Sequence, residues 1–281
     1  MTHFKGKDGF KNKVALITGA GSGIGQATAL ELARRGAQLW LTDINATGLE
    51  QTAEQVKALG AQCQTFVGNV SSSTDMKKLA KAVHEQHPAL DILINNAGIG
   101  VAGRFVDTTL KTWNKVLDVN VKGVMLGCHV FAPNMISQGG GHIVNVASAA
   151  AFIAAKDMPV YAMSKYAVLG FSEALRADLY DHGIGVSAVC PGVINTAIVA
   201  NTLFEGSVGN NDTVKNKVVE FYKKRNYTAD KVALGIIDAI EHNLAVRPIS
   251  PEAWAMYLAK RWLPGVVDWV GRRDLPFMAA D

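Results

Sequence analysis

Ser148, Tyr161 and Lys165 carry side chains that could together move a proton to or from an alcohol. Tyr161 and Lys165 are four residues apart, so on a helix they would share one face. An ammonium group beside a phenol favours the phenolate, which predicts that the pKa of Tyr161 falls from its usual value of about 10. Such a phenol can donate or accept a proton near neutral pH, while Ser148 could hold the substrate oxygen. The pattern predicts alcohol–carbonyl chemistry, although most Tyr-x-x-x-Lys pairs on helices are solvated pairs without chemistry.

A glycine-rich turn near the amino terminus predicts a dinucleotide site. Residues 18–25 read Thr-Gly-Ala-Gly-Ser-Gly-Ile-Gly and precede a stretch rich in alanine, leucine and arginine. Glycines let the backbone turn sharply and approach a pyrophosphate, and the N-terminus of the next helix offers free N–H groups. The alternative, a tight connection with no ligand, is less favoured directly after a first strand.

Asp43 predicts which dinucleotide is bound. It stands eighteen residues beyond Gly25, close to the spacing of an acidic ribose-binding residue. A carboxylate there accepts hydrogen bonds from ribose hydroxyls and repels a 2′-phosphate. Ala20, Ser22 and Ile44 supply no positive charge to attract that phosphate. The sequence favours NAD over NADP, unless Asp43 is only a turn residue before a helix.

The elements that must position these residues alternate between short apolar runs and amphipathic stretches. This alternation predicts an α/β fold, a doubly wound (Rossmann) parallel sheet with helices on both faces. The strands are predicted at 14–18, 38–42, 63–67, 92–95, 143–147, 186–190 and 245–247, with 139–141 as a loop. The helices are predicted at 23–35, 46–58, 73–86, 112–137, 160–182 and 229–242. We expect a single domain over 1–281, with its core at about 10–250.

Two segments depart from this rhythm. The polar segment 195–228 follows the sixth strand and predicts a substrate loop or lid, with a disordered surface loop as the alternative. Helical spacing of apolar residues at about 251–273 predicts a C-terminal extension of two short helices, separated by Pro264 and Gly265. Its tryptophans and flanking basic residues allow a peripheral membrane contact. We favour packing on the domain or on a partner subunit, because two short helices bury little surface in lipid.

Composition narrows the class of protein. The net charge of +4 comes without a dominant Lys/Arg block, which argues against nucleic acid as a partner. Cys63, Cys128 and Cys190 are widely separated, so free thiols in a reducing compartment are expected. The seven histidines are scattered, which argues against a metal site and makes His129 and His142 core or surface residues. The charged start and the lack of a long apolar run predict a cytoplasmic protein.

These motifs together resemble the short-chain dehydrogenase/reductase family over nearly the whole chain. The matching elements are the turn at 18–25, Asn-Asn-Ala-Gly at 95–98, Asn120, Ser148, Tyr161 with Lys165, and Pro-Gly at 191–192. The resemblance implies that Ser148 orients the substrate oxygen, that Tyr161 is the acid–base and that Lys165 also binds the nicotinamide ribose. It further implies that Asn120 breaks a helix locally and anchors a water that relays protons to the lysine. No metal is implied.

The resemblance and the motifs also predict the cofactor contacts. These are Gly19, Ser22, Gly23, Ile24, Gly25, Asp43, Asn69, Val70, Asn96, Ala97, Gly98, Tyr161, Lys165, Pro191, Gly192, Val193 and Thr196. Asn69 stands where the family usually has aspartate, and its carbonyl could still accept a hydrogen bond from the adenine amino group.

The leading hypothesis is therefore an NAD-dependent oxidoreductase acting on a secondary alcohol or ketone. Relatives with a similar tail act on bulky apolar alcohols and ketones, so a hydrophobic substrate is expected by analogy. Two alternatives remain open at this point: an NADP-dependent carbonyl reductase, and a nucleotide-sensing protein without turnover. The family commonly forms dimers or tetramers through its two long helices, here 112–137 and 160–182, so a homo-oligomer is expected.

Overall fold

A parallel sheet organises the computed structural model, which describes residues 4–195, 202–206, 216–217, 220–221 and 224–273. The strands are β1 (Val14–Thr18), β2 (Gln38–Asp43), β3 (Cys63–Val67), β4 (Ile92–Asn95), β5 (Val101–Ala102), β6 (Gly141–Val146), β7 (Ile184–Pro191), β8 (Leu203–Phe204) and β9 (Val246–Ile249). Seven of them form one sheet in the order β3-β2-β1-β4-β6-β7-β9, with every pair parallel. The order reverses between β1 and β4, and ligands bind at such a switch point beyond the carboxyl ends of the strands.

Helices cover both faces of this sheet. They are α1 (Gly23–Arg34), α2 (Ala46–Ala58), α3 (Ser73–His84), α4 (Leu110–Leu117), α5 (Gly123–Gln138), α6 (Pro159–Asp178), α7 (Ala229–Glu241), α8 (Pro251–Trp262) and α9 (Pro264–Gly271). Successive residues of a strand point to opposite faces. Ile17 of β1 accordingly packs in a core with α1, α2 and α7, whereas Leu16 packs in a second core with α3, α5 and α6. The predicted doubly wound fold is confirmed.

The predicted strands are all present, with small shifts at their ends. Gly141 was expected in a loop, and this is wrong: it begins β6 and pairs with Ile184 of β7. Its φ of 140° suits glycine, and a Cβ there would lie 2.6 Å from the methyl carbon of Met135. Apolar content alone did not reveal a strand that starts on a glycine.

The predicted helix 112–137 is not continuous. Between α4 and α5 lies a π-helical turn, Asp118–Lys122, with buried Asn120 at its centre. A π turn inserts one residue into the helical ladder and is frequent at functional sites. The resemblance implied a local break at Asn120, and that break is confirmed. The predicted helix 160–182 likewise ends earlier, at Asp178, where a 3-10 turn and a left-handed Gly183 lead into β7.

A small second sheet lies beyond the carboxyl edge of the main one. β5 pairs in parallel with β8, and Val101 is the partner of Leu203. Strands of two residues leave no periodicity in the sequence, so neither was predicted. Part of the predicted loop 195–228 is thus tied down at 202–206, while residues 196–201, 207–215, 218–219 and 222–223 lie outside the described residues.

The C-terminal extension forms two helices, α8 and α9, which confirms that prediction. One face packs on the domain as expected: Ala253 and Val267 are buried, and the ring of Tyr257 lies 5.2 Å from that of Phe152. The outer face of the two helices is exposed. Within the described part of the chain, no helix combines the length and apolar character needed to cross a membrane.

Candidate active site

Ser148 and Tyr161 meet beyond the carboxyl end of β6. Ser148 follows the strand by two residues and begins a 3-10 turn, where its Oγ accepts a hydrogen bond from the backbone N–H of Ala150 at 3.2 Å. Tyr161 lies in the first turn of α6, which begins with Pro159 and needs no N–H donor there. The two side chains are hydrogen-bonded to each other. The sequence thus brings the predicted serine and tyrosine together.

The predicted direction of the Tyr161 pKa is wrong. Burial raises the pKa of Tyr161 above its ordinary value, and the hydrogen bond with Ser148 offsets this only in part. The Nζ atom of Lys165 lies 5.8 Å from the centre of the Tyr161 ring, which is too far to outweigh burial. The spacing argument considered the charge of the lysine and left out the loss of water around the phenol.

Lys165 is itself buried, one helical turn beyond Tyr161. Its Nζ donates a hydrogen bond to the carbonyl oxygen of Val146 at 3.0 Å. Burial lowers the pKa of Lys165 to about 8. Burial also raises the pKa of Cys190 to about 12, so this thiol is neutral beside the amine. A lysine with such a pKa titrates within the range where enzymes work.

Asn120 is anchored by both ends of its amide. Its Oδ1 accepts from the N–H of Ile99 at 2.8 Å, and its Nδ2 donates to the carbonyl of Ile99 at 3.0 Å and to Ser164 Oγ at 3.1 Å. Ser164 in turn donates to the carbonyl of Tyr161 at 2.7 Å. These contacts connect the π turn to the helix that carries the tyrosine.

Gly98 lies between Asn120 and Lys165. A Cβ at Gly98 would be 3.3 Å from Asn120 Oδ1 and 3.5 Å from Lys165 Nζ. Asn120, Lys165 and the Asn-Asn-Ala-Gly segment therefore share one small space at the end of β4. All four residues predicted for catalysis lie at the same edge of the sheet.

The glycine-rich turn has the close packing that its glycines predicted. A Cβ on Gly25 would lie 2.1 Å from the carbonyl oxygen of Gly19, and Gly19 itself has φ 65°. Ser22 is the N-cap of α1, but its side chain makes no capping hydrogen bond, and Gly23, Ile24 and Gly25 form the first turn. The first N–H groups of α1 are thus left for a ligand, as an anion site at a helix N-terminus requires.

Asp43 ends β2 beside this turn. Its Oδ2 accepts from the N–H of Gly21 at 2.8 Å, and its Oδ1 accepts from the N–H of Asn45 at 2.9 Å. Asp43 therefore positions the glycine-rich turn in addition to any contact with a ligand. A carboxylate has further lone pairs, so it can still accept hydrogen bonds from ribose hydroxyls.

The segments after β3 and β4 carry the next predicted cofactor contacts. Asn69 Oδ1 accepts from both the N–H and the Oγ of Ser71, at 3.0 and 2.8 Å. This occupies the oxygen locally and argues against the idea that it accepts from an adenine amino group. Val70 is buried against Gly123 of α5, where a Cβ would lie 2.8 Å from its Cγ2. The observed contacts of Asn69 and Val70 thus shape the loop that follows β3.

Asn96 and Ala97 join β4 to the glycine-rich turn. Asn96 Nδ2 donates to the carbonyl of Thr18 at 2.9 Å and to that of Gly19 at 3.1 Å. Thr18 Oγ1 accepts from the N–H groups of Asn96 and Ala97, both at 3.0 Å. Residues from three separate motifs are therefore fixed as one unit.

The segment after β7 is held by a residue that the sequence analysis missed. Pro191 ends β7, the N–H of Gly192 donates to Ile249 at 3.1 Å, and the N–H of Val193 donates to Glu252 Oε1 at 3.1 Å. Glu252 also pairs with Arg225. Although burial acts to raise the pKa of Glu252, hydrogen bonds, chiefly from Arg225, hold it below its usual value. Thr196, another predicted contact, lies outside the described residues.

Glu252 gave only a faint signal in the sequence. An acidic residue after Ser-Pro is typical of a helix start, and nothing in the pattern predicts a contact with residues 193 and 225.

Apolar side chains form the wall beside Tyr161. Val101, Val116 and Val160 are buried there, and Ile99, Trp113, Tyr161 and Leu203 pack against them. Next to this wall, Thr112 Oγ1 donates to Glu205 Oε1 at 2.5 Å, so a side-chain contact holds the residue after β8 to α4. The surroundings of the tyrosine suit an apolar ligand better than a charged one.

Comparisons with known proteins agree with this geometry. The family model described as short chain dehydrogenase matches residues 13–205. The chain is 40% identical over 259 residues to "Probable oxidoreductase EphD" of Mycobacterium tuberculosis, covering 91% of this chain and 44% of that protein. The chain thus spans less than half the length of that relative. It is also 37% identical over 192 residues to "Cyclohexanol dehydrogenase" of an Acinetobacter species, covering 68% of this chain and 76% of that protein.

A solved structure shows the same fold with a cofactor. It is a short chain dehydrogenase/reductase from Burkholderia phymatum in complex with NAD. The TM-score is 0.83 at 30% sequence identity, and the match covers 95% of this chain and 98% of that one.

Proposed function

The chain belongs to the short-chain dehydrogenase/reductase family, and from that premise we propose that it exchanges a hydride between NAD and a secondary alcohol or ketone. The observation that carries the proposal is the meeting of Ser148 and Tyr161, hydrogen-bonded to each other, with Lys165 one turn further along α6. A protein that only sensed nucleotides would need no such set of proton-handling groups. The catalytic unit is a single domain that includes the pairing of β5 with β8 and the helices α8 and α9.

The residues present fit NAD. The turn packs so closely that a Cβ at Gly19 or Gly25 would clash with the backbone of Ala97 or Gly19, and it lies at the uncapped N-terminus of α1. The pyrophosphate would be held by the turn of Gly19, Ser22, Gly23, Ile24 and Gly25, and the adenosine ribose by Asp43. The negative charge of Asp43 favours NAD over NADP. The nicotinamide end would meet Gly98, Lys165 and the segment Pro191, Gly192 and Val193. When bound, NAD supplies the acceptor for the hydride.

Tyr161 is the proton donor and acceptor in this proposal. In the direction of ketone reduction, the phenol gives its proton to the carbonyl oxygen as that oxygen becomes an alkoxide. In the direction of alcohol oxidation, the phenolate takes the proton from the hydroxyl. Because burial raises the pKa of Tyr161, the phenol form is favoured at neutral pH, which suits reduction.

Ser148 orients the substrate for that proton transfer, and Lys165 assists it. The Ser148 hydroxyl can hydrogen-bond the substrate oxygen, which fixes it next to the phenol. Lys165, with a pKa of about 8, can stabilise the phenolate when charged and can accept a proton when neutral. Asn120 holds the carbonyl and N–H of Ile99 beside Gly98, which keeps the space next to Lys165 open.

The substrate is an uncharged, largely apolar alcohol or ketone. The wall of Ile99, Trp113, Val160 and Leu203 beside Tyr161 supports this, because a charged group there would lose its water without a partner. A relative that is named as acting on cyclohexanol supports the same class.

The test is a panel of secondary alcohols and ketones, from cyclohexanol size to steroid size, with NAD and NADP in parallel and NADH absorbance as the readout. We expect turnover of apolar members, a higher kcat/KM with NAD, and loss of turnover in Tyr161→Phe with NADH binding retained. Asp43→Ala should reduce the ratio of kcat/KM with NAD to kcat/KM with NADP. Binding of NADH without turnover of any member by the unmodified protein would instead identify a nucleotide-sensing protein.

A further inference from the structure

The outer face of α8 and α9 carries a group of exposed apolar side chains. Seven large apolar residues are exposed there, including Trp262 at 73% and Trp269 at 58% exposure. We call this set the tail surface: Trp254, Leu258, Trp262, Leu263, Val266, Trp269 and Val270. Single exposed apolar residues are ordinary, whereas a contiguous group indicates an interaction site.

The tail surface is not the unpacked side of loosely attached helices. Ala253 and Val267 on the opposite face are buried, and Tyr257 packs on Phe152. The N–H of Lys156 donates to the carbonyl of Gly271 at 3.1 Å, which fixes the end of α9 to the segment after Ser148. Both helices are held by their inner faces, so the outer face is available for a partner.

The spacing of the tail surface gives each of the two helices an apolar strip. Trp254, Leu258 and Trp262 recur every four residues along α8, and Val266 and Val270 are four residues apart on α9. Residues at this interval lie on the same face of a helix. Each helix therefore presents an apolar strip to the outside.

Positive charge borders these strips. Residues 251–273 contain Lys260, Arg261, Arg272 and Arg273 and two acidic residues, Glu252 and Asp268, which are paired with Arg225 and Arg272. The Nζ atom of Lys260 lies 5.6 Å from the centre of the Tyr166 ring, so Arg261 and Arg273 are the basic groups left to border the tail surface. The guanidinium of Arg273 lies 4.4 Å from the centre of the Trp269 ring. An apolar strip with tryptophans and a basic border is the pattern of helices that lie in the interface of an anionic bilayer.

We propose that the tail surface docks on the surface of an anionic lipid membrane. The apolar side chains would enter the boundary between headgroups and acyl chains, while Arg261 and Arg273 contact the anionic headgroups. A second copy of the chain is a poorer occupant, because a symmetric contact would bring together two surfaces that are both net positive. Two short helices bury little surface in lipid, and the basic side chains beside them add electrostatic attraction to anionic headgroups.

Docking would hold the catalytic groups close to the lipid. The inner face of the extension contacts Phe152, four residues beyond Ser148. If the proposed function is right, an apolar substrate dissolved in the bilayer would have a short route to Tyr161. The docking itself does not depend on the reaction, so the two proposals can fail separately.

The test is co-sedimentation of the full chain with vesicles, without substrate or cofactor. We expect binding to vesicles of phosphatidylglycerol and phosphatidylcholine, weaker binding to pure phosphatidylcholine, and weakening by high salt. The double variants Trp262→Ser/Trp269→Ser and Arg261→Gln/Arg273→Gln should each lower the partition coefficient by about tenfold or more. All four side chains point outward, so the variants should keep the melting temperature of the parent.

Matched controls lie elsewhere on the surface. Tyr180→Ser removes an exposed aromatic residue, and Lys77→Gln/Lys78→Gln removes two exposed charges from α3; both should bind vesicles like the parent. Absence of binding to anionic vesicles would overturn the proposal, as would equal binding by the tail variants. Concentration-dependent self-association that is abolished in Trp262→Ser/Trp269→Ser, without lipid binding, would assign the surface to a second copy.

Discussion

The two ends of strands β6 and β7 each bury a basic side chain, and only one of these ends is suited to chemistry. At the amino end, the Nε2 of His142 lies 2.8 Å from Ser187 Oγ, and Ser187 donates to the carbonyl of Leu244 at 2.5 Å. At the carboxyl end, Lys165 is bonded to Val146 at 3.0 Å. Burial lowers both pKa values, that of His142 to about 3 and that of Lys165 to about 8.

The difference lies in what surrounds each group. His142 is enclosed: Gly185 packs against its ring, and Arg176 bonds to Val186 and Asn243 to seal the same end of the sheet. Lys165 instead lies next to Gly98, Ser148 and Tyr161, at the edge where this fold binds ligands. A shifted pKa therefore does not identify a catalytic group by itself. Whether such a group takes part in catalysis depends on its position along the strand and on the access of a ligand to it.

The largest expected effect comes from replacing each of the two buried basic side chains in turn. Lys165→Met should lower kcat by about 10²–10⁴, the usual range for losing a group that assists proton transfer. His142→Asn should leave kcat unchanged, because His142 lies at the opposite end of β6 from Ser148. Steady-state kinetics with the best alcohol of the panel would measure both. A loss of kcat in His142→Asn at full folding would mean that the amino end contributes to the chemistry.

The pH profile sharpens the role of the carboxyl end. Because burial raises the pKa of Tyr161, the phenolate needed for alcohol oxidation becomes populated only as the pH rises. We expect kcat for oxidation to increase about tenfold per pH unit below that pKa, while kcat for reduction falls at alkaline pH. A flat oxidation profile from pH 6 to pH 10 would contradict Tyr161 as the base. His142→Asn serves as a control that should keep the profile.

Glu252 provides a smaller test at the same end. Glu252→Ala leaves the N–H of Val193 and the charge of Arg225 without their partner, so the segment that meets the nicotinamide loosens. We expect the KM for NAD to rise about tenfold, equivalent to ~1.4 kcal/mol. Glu252→Gln keeps an acceptor for Val193 and should give an intermediate value.

Glu205→Ala is the matched control for Glu252→Ala. It removes the partner of Thr112 on the substrate side, so it should raise the KM for the alcohol and leave that for NAD unchanged. Equal effects of both variants on the KM for NAD would show that Glu252 acts only through general stability.

The smallest effect concerns stability at the amino end. The folded chain holds His142 with a pKa of about 3, below its ordinary 6.5. Between these pH values the unfolded chain binds a proton that the folded chain does not, so the stabilising contribution is complete above pH 6.5 and is lost as the pH falls towards 3. His142→Asn should lower the free energy of unfolding by about 1–3 kcal/mol at pH 7, as measured by urea unfolding. It should also reduce the further loss of stability as the pH falls. His129→Asn, at an exposed site on α5, should keep the slope of the parent.

The sequence predicted the parts of the site that follow from local rules. The strands that end at Thr18, Asp43 and Asn95 were correctly predicted, as was the helix that carries Tyr161 and Lys165, because periodicity and glycine spacing are encoded within short stretches. The carboxyl ends of parallel strands share one edge, so their positions followed from the topology.

The rest depended on contacts between distant parts of the chain. The direction of the Tyr161 pKa was wrong because burial arises from side chains far apart in sequence, such as Val101 and Leu203. Glu252 was missed for the same reason, since its partners lie 59 and 27 residues away. The hydrogen bonds of Asn69 with Ser71 were not predicted, because a turn within three residues leaves only a weak pattern.

The pairing of β5 with β8 also implies an order in which the molecule loosens. It matches two residue pairs, Val101 with Leu203 and Ala102 with Phe204, with backbone hydrogen bonds that include Leu203 to Gly100 at 3.0 Å and Glu205 to Ala102 at 2.9 Å, whereas β6 and β7 are paired over six residues inside the main sheet. Amide protons of Leu203 and Glu205 should therefore exchange with solvent through brief local opening, and those of β7 only through global unfolding. The wall beside the tyrosine can then separate and close again while the frame that positions Ser148 stays intact.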